Sequence, residues 1–190
     1  MNRSKPFVFA LLALLLAGCG SSHHDQDKMK APLDKIRGMV KQSAVLASQA
    51  VCAGPETQPK LLHASVVLLR RAMGGPEMAS IHKMMGQMEM DQPGKVPQKQ
   101  SGMSAEQQMH VDIHSAGEDT FDFLDAISQD HLTCTDVRPV SLAATAALLR
   151  ESPSAEVNGV VKKLDGDIGK YLGDKTPDSV RTLAQALEKI

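Results

Sequence analysis

The sequence predicts an all-α protein, a compact bundle of about six to seven helices. Three observations carry that expectation. Apolar residues recur at steps of three, four and seven along several stretches, and no stretch alternates apolar and polar with β-branched content. Aromatic residues make up only 3% of the 190-residue chain, so the core must be built from Leu, Val, Ile, Met and Ala. Proline and glycine fall between the apolar stretches, where they stop one helix and start the next. With 42% apolar and 23% charged residues, the composition excludes a disordered, a collagen-like or a multi-pass membrane chain. A net charge of −1 and the lack of tryptophan argue against nucleic acid as a partner.

The elements follow in order. Leu33, Ile36, Val40, Ala47 and Val51 define a helix over 33–52, broken at Ala53-Gly54-Pro55. Pro59 suits the first turn of a second helix, which Leu62, Val66, Leu69 and Met73 carry to Gly74-Gly75. Pro76 opens a third, with Met78, Ile81, Met85 and Met88 on one face. Residues 91–103 are polar with two prolines and form a linker. Ser104 and Gln107 have the spacing of a capping box, ahead of a helix to about His131 with a weak point at Gly117. Further helices are expected at 139–151, 155–172 and 177–190, the last with Thr176 as its N-cap. Pro59–Arg70 aligns without gaps on Pro139–Arg150, with six of twelve positions identical. That match suggests two three-helix halves.

The N-terminus has a different character. Arg3 and Lys5 precede the apolar run Phe7–Ala17, which is too short to span a bilayer and ends in Leu16-Ala17-Gly18-Cys19. This segment resembles the signal peptide and lipobox of bacterial lipoproteins. The resemblance covers residues 1–19 alone. It implies that residues 1–18 are removed and that Cys19 carries the lipid. It also implies attachment at the periplasmic face of the outer membrane, because Gly20 stands where an inner-membrane retention signal has Asp. Two or more acyl chains hold a protein stably at a bilayer. Residues 19–32 then read as the lipidated end and a flexible tether, and residues 33–190 as a single domain. Without Arg3 and Lys5 the chain has 19 Lys and Arg against 22 Asp and Glu, a net of −3.

In an oxidising compartment the two remaining cysteines, Cys52 and Cys134, are expected to form a disulfide, with free thiols or soft-metal ligation as alternatives. No CxxC redox spacing occurs.

Residues 73–114 hold eight of the eleven methionines. Met84-Met85-x-x-Met88-x-Met90 resembles the methionine motifs of periplasmic copper-handling proteins, whose thioethers bind Cu(I). Thioether and imidazole donors suit that ion. The candidate ligands are Met78, His82, Met84, Met85, Met88, Met90, His110 and His114. The same methionines also serve as the apolar stripe of the third helix and as adaptable filler in a core poor in aromatics. His110-Val-Asp112-Ile-His114 would place three donors on one face of a strand, but only two in a helix. The acidic set Glu118, Asp119, Asp122 and Asp125 reads as a solvated helix face.

Neither a GxSxG elbow, HExxH, a P-loop nor GxGxxG is present, and no enzymatic activity is expected. No cofactor is required on this reading. The sequence therefore points to a lipid-anchored helical module that binds a periplasmic or outer-membrane protein, of assembly, pilot or immunity type. Cu(I) or Ag(I) binding in the 73–114 window is the alternative.

Overall fold

One long helix organises the others. In a computed structural model describing residues 21–90, 103–129, 132–151 and 154–190, and the side chains among them other than those of 21–27 and 88–90, α1 runs Ser21–Cys52. It is followed by α2 (Gln58–Gly74), α3 (Pro76–Met90), α4 (Ala105–Gln129), α5 (Arg138–Leu149), α6 (Ala155–Tyr171) and α7 (Asp178–Lys189), with no strand among the described residues. The protein is an all-α helical bundle, as the apolar spacing predicts. No helix among the described residues is long and apolar enough to cross a membrane.

Helix α1 packs against α2, α3, α4 and α5, while α5 also carries α6 and α7, and α4 reaches α2 and α7. The stripe Leu33, Ile36, Val40, Ala44 and Ala47 is fully buried, but so are Lys41, Ser43, Ser48 and Ala50 on other faces. A central helix is covered round most of its circumference, so single-face periodicity understates its core. Two buried hydroxyls tie α1 to α2. Ser43 Oγ donates to the Ser65 carbonyl and Ser65 Oγ to the Ser43 carbonyl, both at 2.9 Å. Neither buried hydroxyl is left unsatisfied. Opposite, Ala143, Ala144 and Ala147 of α5 are fully buried and let it lie close to α1. Val180, Leu183, Ala184 and Leu187 form the inner stripe of α7. Phe123 is completely buried, and Leu, Val, Ile, Met and Ala supply the surrounding core as expected.

Four local expectations need correction. The segment from Ser21 to Lys30, read as a tether, is helical, and α1 begins at Ser21 rather than near residue 33. Met29, 1% exposed, extends the Leu33–Ile36–Val40 stripe one turn toward the N-terminus, and the helix continues through Pro32. Gly117 does not weaken α4, which is continuous from Ala105 to Gln129. Thr176 does not cap α7. Its hydroxyl accepts from the Gly173 N–H at 2.9 Å and donates to the Tyr171 carbonyl at 3.1 Å, closing the preceding turn instead. The Pro59–Arg70 and Pro139–Arg150 match does not extend to packing. In α2 the buried positions include Ser65 and Leu69, whose counterparts Thr145 and Leu149 are exposed and half-buried. In α5 they include Ala143, Ala144 and Ala147, whose counterparts His63, Ala64 and Val67 are not buried. The two helices present different faces to the core.

The capping box forms as expected. The Ser104 N–H donates to Gln107 Oε1 at 2.9 Å and the Gln107 N–H to Ser104 Oγ at 3.2 Å. Cys52, at the end of α1, and Cys134, ahead of α5, form the disulfide, with Cα atoms 4.7 Å apart.

Candidate functional site

Helix α3 is fixed at its start and freer at its end. The turn from α2 is tight: a Cβ on Gly75 would lie 2.2 Å from the Arg71 carbonyl oxygen, so only glycine fits. Glu77, in the first turn, pairs with Lys35 of α1 and lies 3.9 Å from Arg71 of α2. The Lys35 ammonium is the main reason its carboxyl falls below the ordinary range. Met78 and Ile81 then enter the core, fully buried. From His82 through Gln87 no side chain is completely buried, although Met84 and Met85 stay half-buried against the core.

Helix α4 comes past this end of α3. Ile113, Ala116, Thr120 and Phe123 make its buried stripe, and His110, His114 and Gly117 follow one another at helical spacing beside it. The rings of His82 and His110 meet edge to face, with centroids 5.3 Å apart and planes at 79°. The His114 ring lies 6.0 Å from that of His110. Three of the chain's seven histidines are thus gathered at one place from two helices. His110 Nε2 is buried and has no hydrogen-bond partner. Burial first, then the neighbouring His82 and His114, hold the His110 imidazole below its ordinary value of 6.5, so the neutral form is favoured at neutral pH. His114 Nδ1 lies 3.3 Å from Glu118 Oε1.

Gly117 completes the α4 face. A Cβ there would lie 2.3 Å from Met73 Sδ, so the thioether occupies the space a side chain would fill. Gly117→Leu is expected to cost about 1–3 kcal/mol by overpacking. Met73→Ala in the same chain should recover part of that cost, because the two positions share one volume. Urea unfolding of the single and double variants measures the coupling, and strict additivity would contradict the account.

The sequence-nominated residues separate into groups. His82, His110 and His114 come together. Met84 and Met85 lie half-buried beside them on α3, whereas Met78 is 1% exposed in the core and is not available as a ligand. The side chains of Met88 and Met90 lie outside the described residues, as does Cys19. Asp112 is on a helix, not a strand, and accepts from Gln108 Nε2 at 2.9 Å, away from the two histidines. The acidic set on α4 is exposed apart from Asp119. Burial, then Asp122 and Glu118, raise the Asp119 carboxyl above its ordinary value. As the side chains stand, no group of three or more His, Cys, Asp or Glu among the described residues is placed to hold a metal ion.

One polar cluster escapes sequence reasoning. Lys41 is buried, and its Nζ donates to the Ala147 carbonyl at 3.0 Å and to Glu151 Oε1 at 3.1 Å. Nothing in the local pattern of α1 marks this lysine as internal. Burial is the main reason its ammonium is held below 10.5, and Glu151 opposes the shift.

These features define a helical bundle with three imidazoles gathered from α3 and α4. Compared with protein-family models, curated proteins and solved structures, the chain matches none.

Proposed function

We propose that this chain is a non-enzymatic, lipid-anchored helical module at the periplasmic face of the outer membrane, and that it binds a protein partner through the outer half of α3 and the adjoining start of α4. The observation that carries this is the thioether edge. Met84 and Met85 of α3 and Met109 of α4 are only partly buried where they meet the core, and Met103, just ahead of α4, is 59% exposed. Methionine is flexible and polarisable, and it suits surfaces that adapt to another chain. The anchoring part rests on the lipobox resemblance, with Cys19 as the acylated residue.

Two measurements test the proposal. Cys19→Ser should abolish incorporation of labelled palmitate and release the protein from membranes; persistent labelling would refute the anchor. A photoreactive residue at exposed Lys83 of α3 should give one discrete cross-linked species in cells, with none from exposed Lys162 of α6. Equal cross-linking from both positions, or none from Lys83, would refute the surface.

A second reading, soft-metal binding in the same window, is favoured by one observation: the contact of His82, His110 and His114.

A further inference from the structure

Eleven side chains in the 73–114 window, eight methionines and three histidines, qualify as soft-metal ligands by residue type, and the fold separates them. Met78 belongs to the core. The imidazoles, by contrast, converge although His82 and His110 are far apart in sequence. Two imidazoles on one ion, each with metal–nitrogen bonds of about 2 Å, have ring centroids roughly 5–6 Å apart, the lower end for a bent arrangement. The His82–His110 separation of 5.3 Å lies within that range.

Two further observations point to a ligand at this place. His110 Nε2 is buried without any partner, and a buried nitrogen left so is costly. Glu118 Oε1 stands 3.3 Å from His114 Nδ1. A carboxylate near Nδ1 is the kind of neighbour that orients histidine ligands at metal centres.

We infer that His82 and His110, with His114 beside them, bind a soft monovalent cation, Cu(I) or its analogue Ag(I), and that the ion ties α3 to α4. This rests on the soft-metal reading and names its ligands. The sulfur donors near the rings select the class of ion. The nitrogen donors of the site are three imidazoles, with Glu118 beside His114. Imidazole suits Zn(II) as well as Cu(I), whereas thioether sulfur favours the soft monovalent ion. His82 is exposed and the His114 side chain is 42% exposed, so both rings are free to turn their nitrogens toward an ion near His110. Two thioethers lie within a helical turn of the rings: Met85, three residues beyond His82, and Met73, packed on Gly117 three residues beyond His114.

The test uses the whole chain purified in detergent, without thiol reductant and under anaerobic conditions. Cu(I) is titrated against the chromophoric chelator bicinchoninate, with Ag(I) and Zn(II) titrated separately. One equivalent of Cu(I) should bind with a submicromolar Kd. His82→Ala and His110→Gln should each weaken it at least tenfold, with helix content and melting of the metal-free protein unchanged. X-ray absorption of the Cu(I) form should show nitrogen ligands. No binding tighter than micromolar would overturn the soft-metal reading and this site with it. Tight binding that survives both histidine substitutions but is lost on changing Met84, Met88 and Met90 to Leu would overturn this site and leave the soft-metal reading standing. Zn(II) binding as tight as Cu(I), with the same dependence on histidine, would overturn the assignment to a soft monovalent ion.

Discussion

Reduction of the Cys52–Cys134 bridge is expected to lower the unfolding free energy by about 4.5 kcal/mol. The two cysteines are 82 residues apart in sequence. The bond therefore closes a loop that contains α2, α3 and α4 and removes many conformations from the unfolded chain. Both cysteines are exposed, so the bridge adds little to the core, and its effect is expected in the unfolded state. A Cys52→Ser, Cys134→Ser double variant should keep the native helix content, unfold at lower urea, and show a steeper denaturant dependence as its unfolded state expands. Non-reducing mass spectrometry should find no free thiol at these positions in the protein from cells. A loss of under 1 kcal/mol would show that the unfolded chain is already compact across this loop.

The fold was more legible in the sequence than the site, for physical reasons visible at particular residues. Helices α2 to α5 announce themselves because each buries one face and begins or ends at residues with a physical reason to be there: Pro59, Gly75, Pro76, Ser104 and Pro139. Helices α6 and α7 are legible from their apolar spacing. The early part of α1 is not. Its first turns are polar, Met29 joins the stripe from outside the regular apolar spacing, and the helix continues through Pro32. Gly117 misleads in the opposite way. Glycine inside a helical pattern signals weakness by propensity, but here it makes room for Met73 from another helix. Tertiary contact decides both cases.

The same limit governs the candidate site. His82 and His110 could each be nominated by side-chain chemistry, but their contact depends on how α3 and α4 pass one another, which no local pattern encodes. Met78 shares the chemistry of Met84 and Met85, and only its position about two turns earlier, where it is fully buried in the core, removes it from consideration. The burial of Lys41 follows from the central place of α1. A lysine on a helix covered on one face would reach water, whereas one on a helix covered by four others must find its partners inside.

That lysine supplies the second large effect. Lys41→Ala should destabilise the protein by about 3 kcal/mol, because it removes the three buried methylenes beyond Cβ and leaves a cavity. It also strips the Ala147 carbonyl, one of the last four of α5, of the ammonium that bonds it. Lys41→Met keeps nearly the same volume and avoids burying a charge, so its cost should be smaller, about 1 kcal/mol for the lost hydrogen bonds. Glu151, 41% exposed, can return to water in either variant. The pH dependence separates charge from volume. Burial lowers the Lys41 pKa below 10.5 in the folded protein, so between its folded and unfolded values the unfolded chain binds more protons. Stability due to this residue therefore rises with pH toward 10.5, and the wild type should gain on Lys41→Met as pH is raised through the alkaline range. Urea unfolding of the three proteins at neutral and alkaline pH makes the comparison. If Lys41→Met proves as damaging as Lys41→Ala, the hydrogen bonds of the ammonium, and not the packing of its stem, hold α1 against the end of α5.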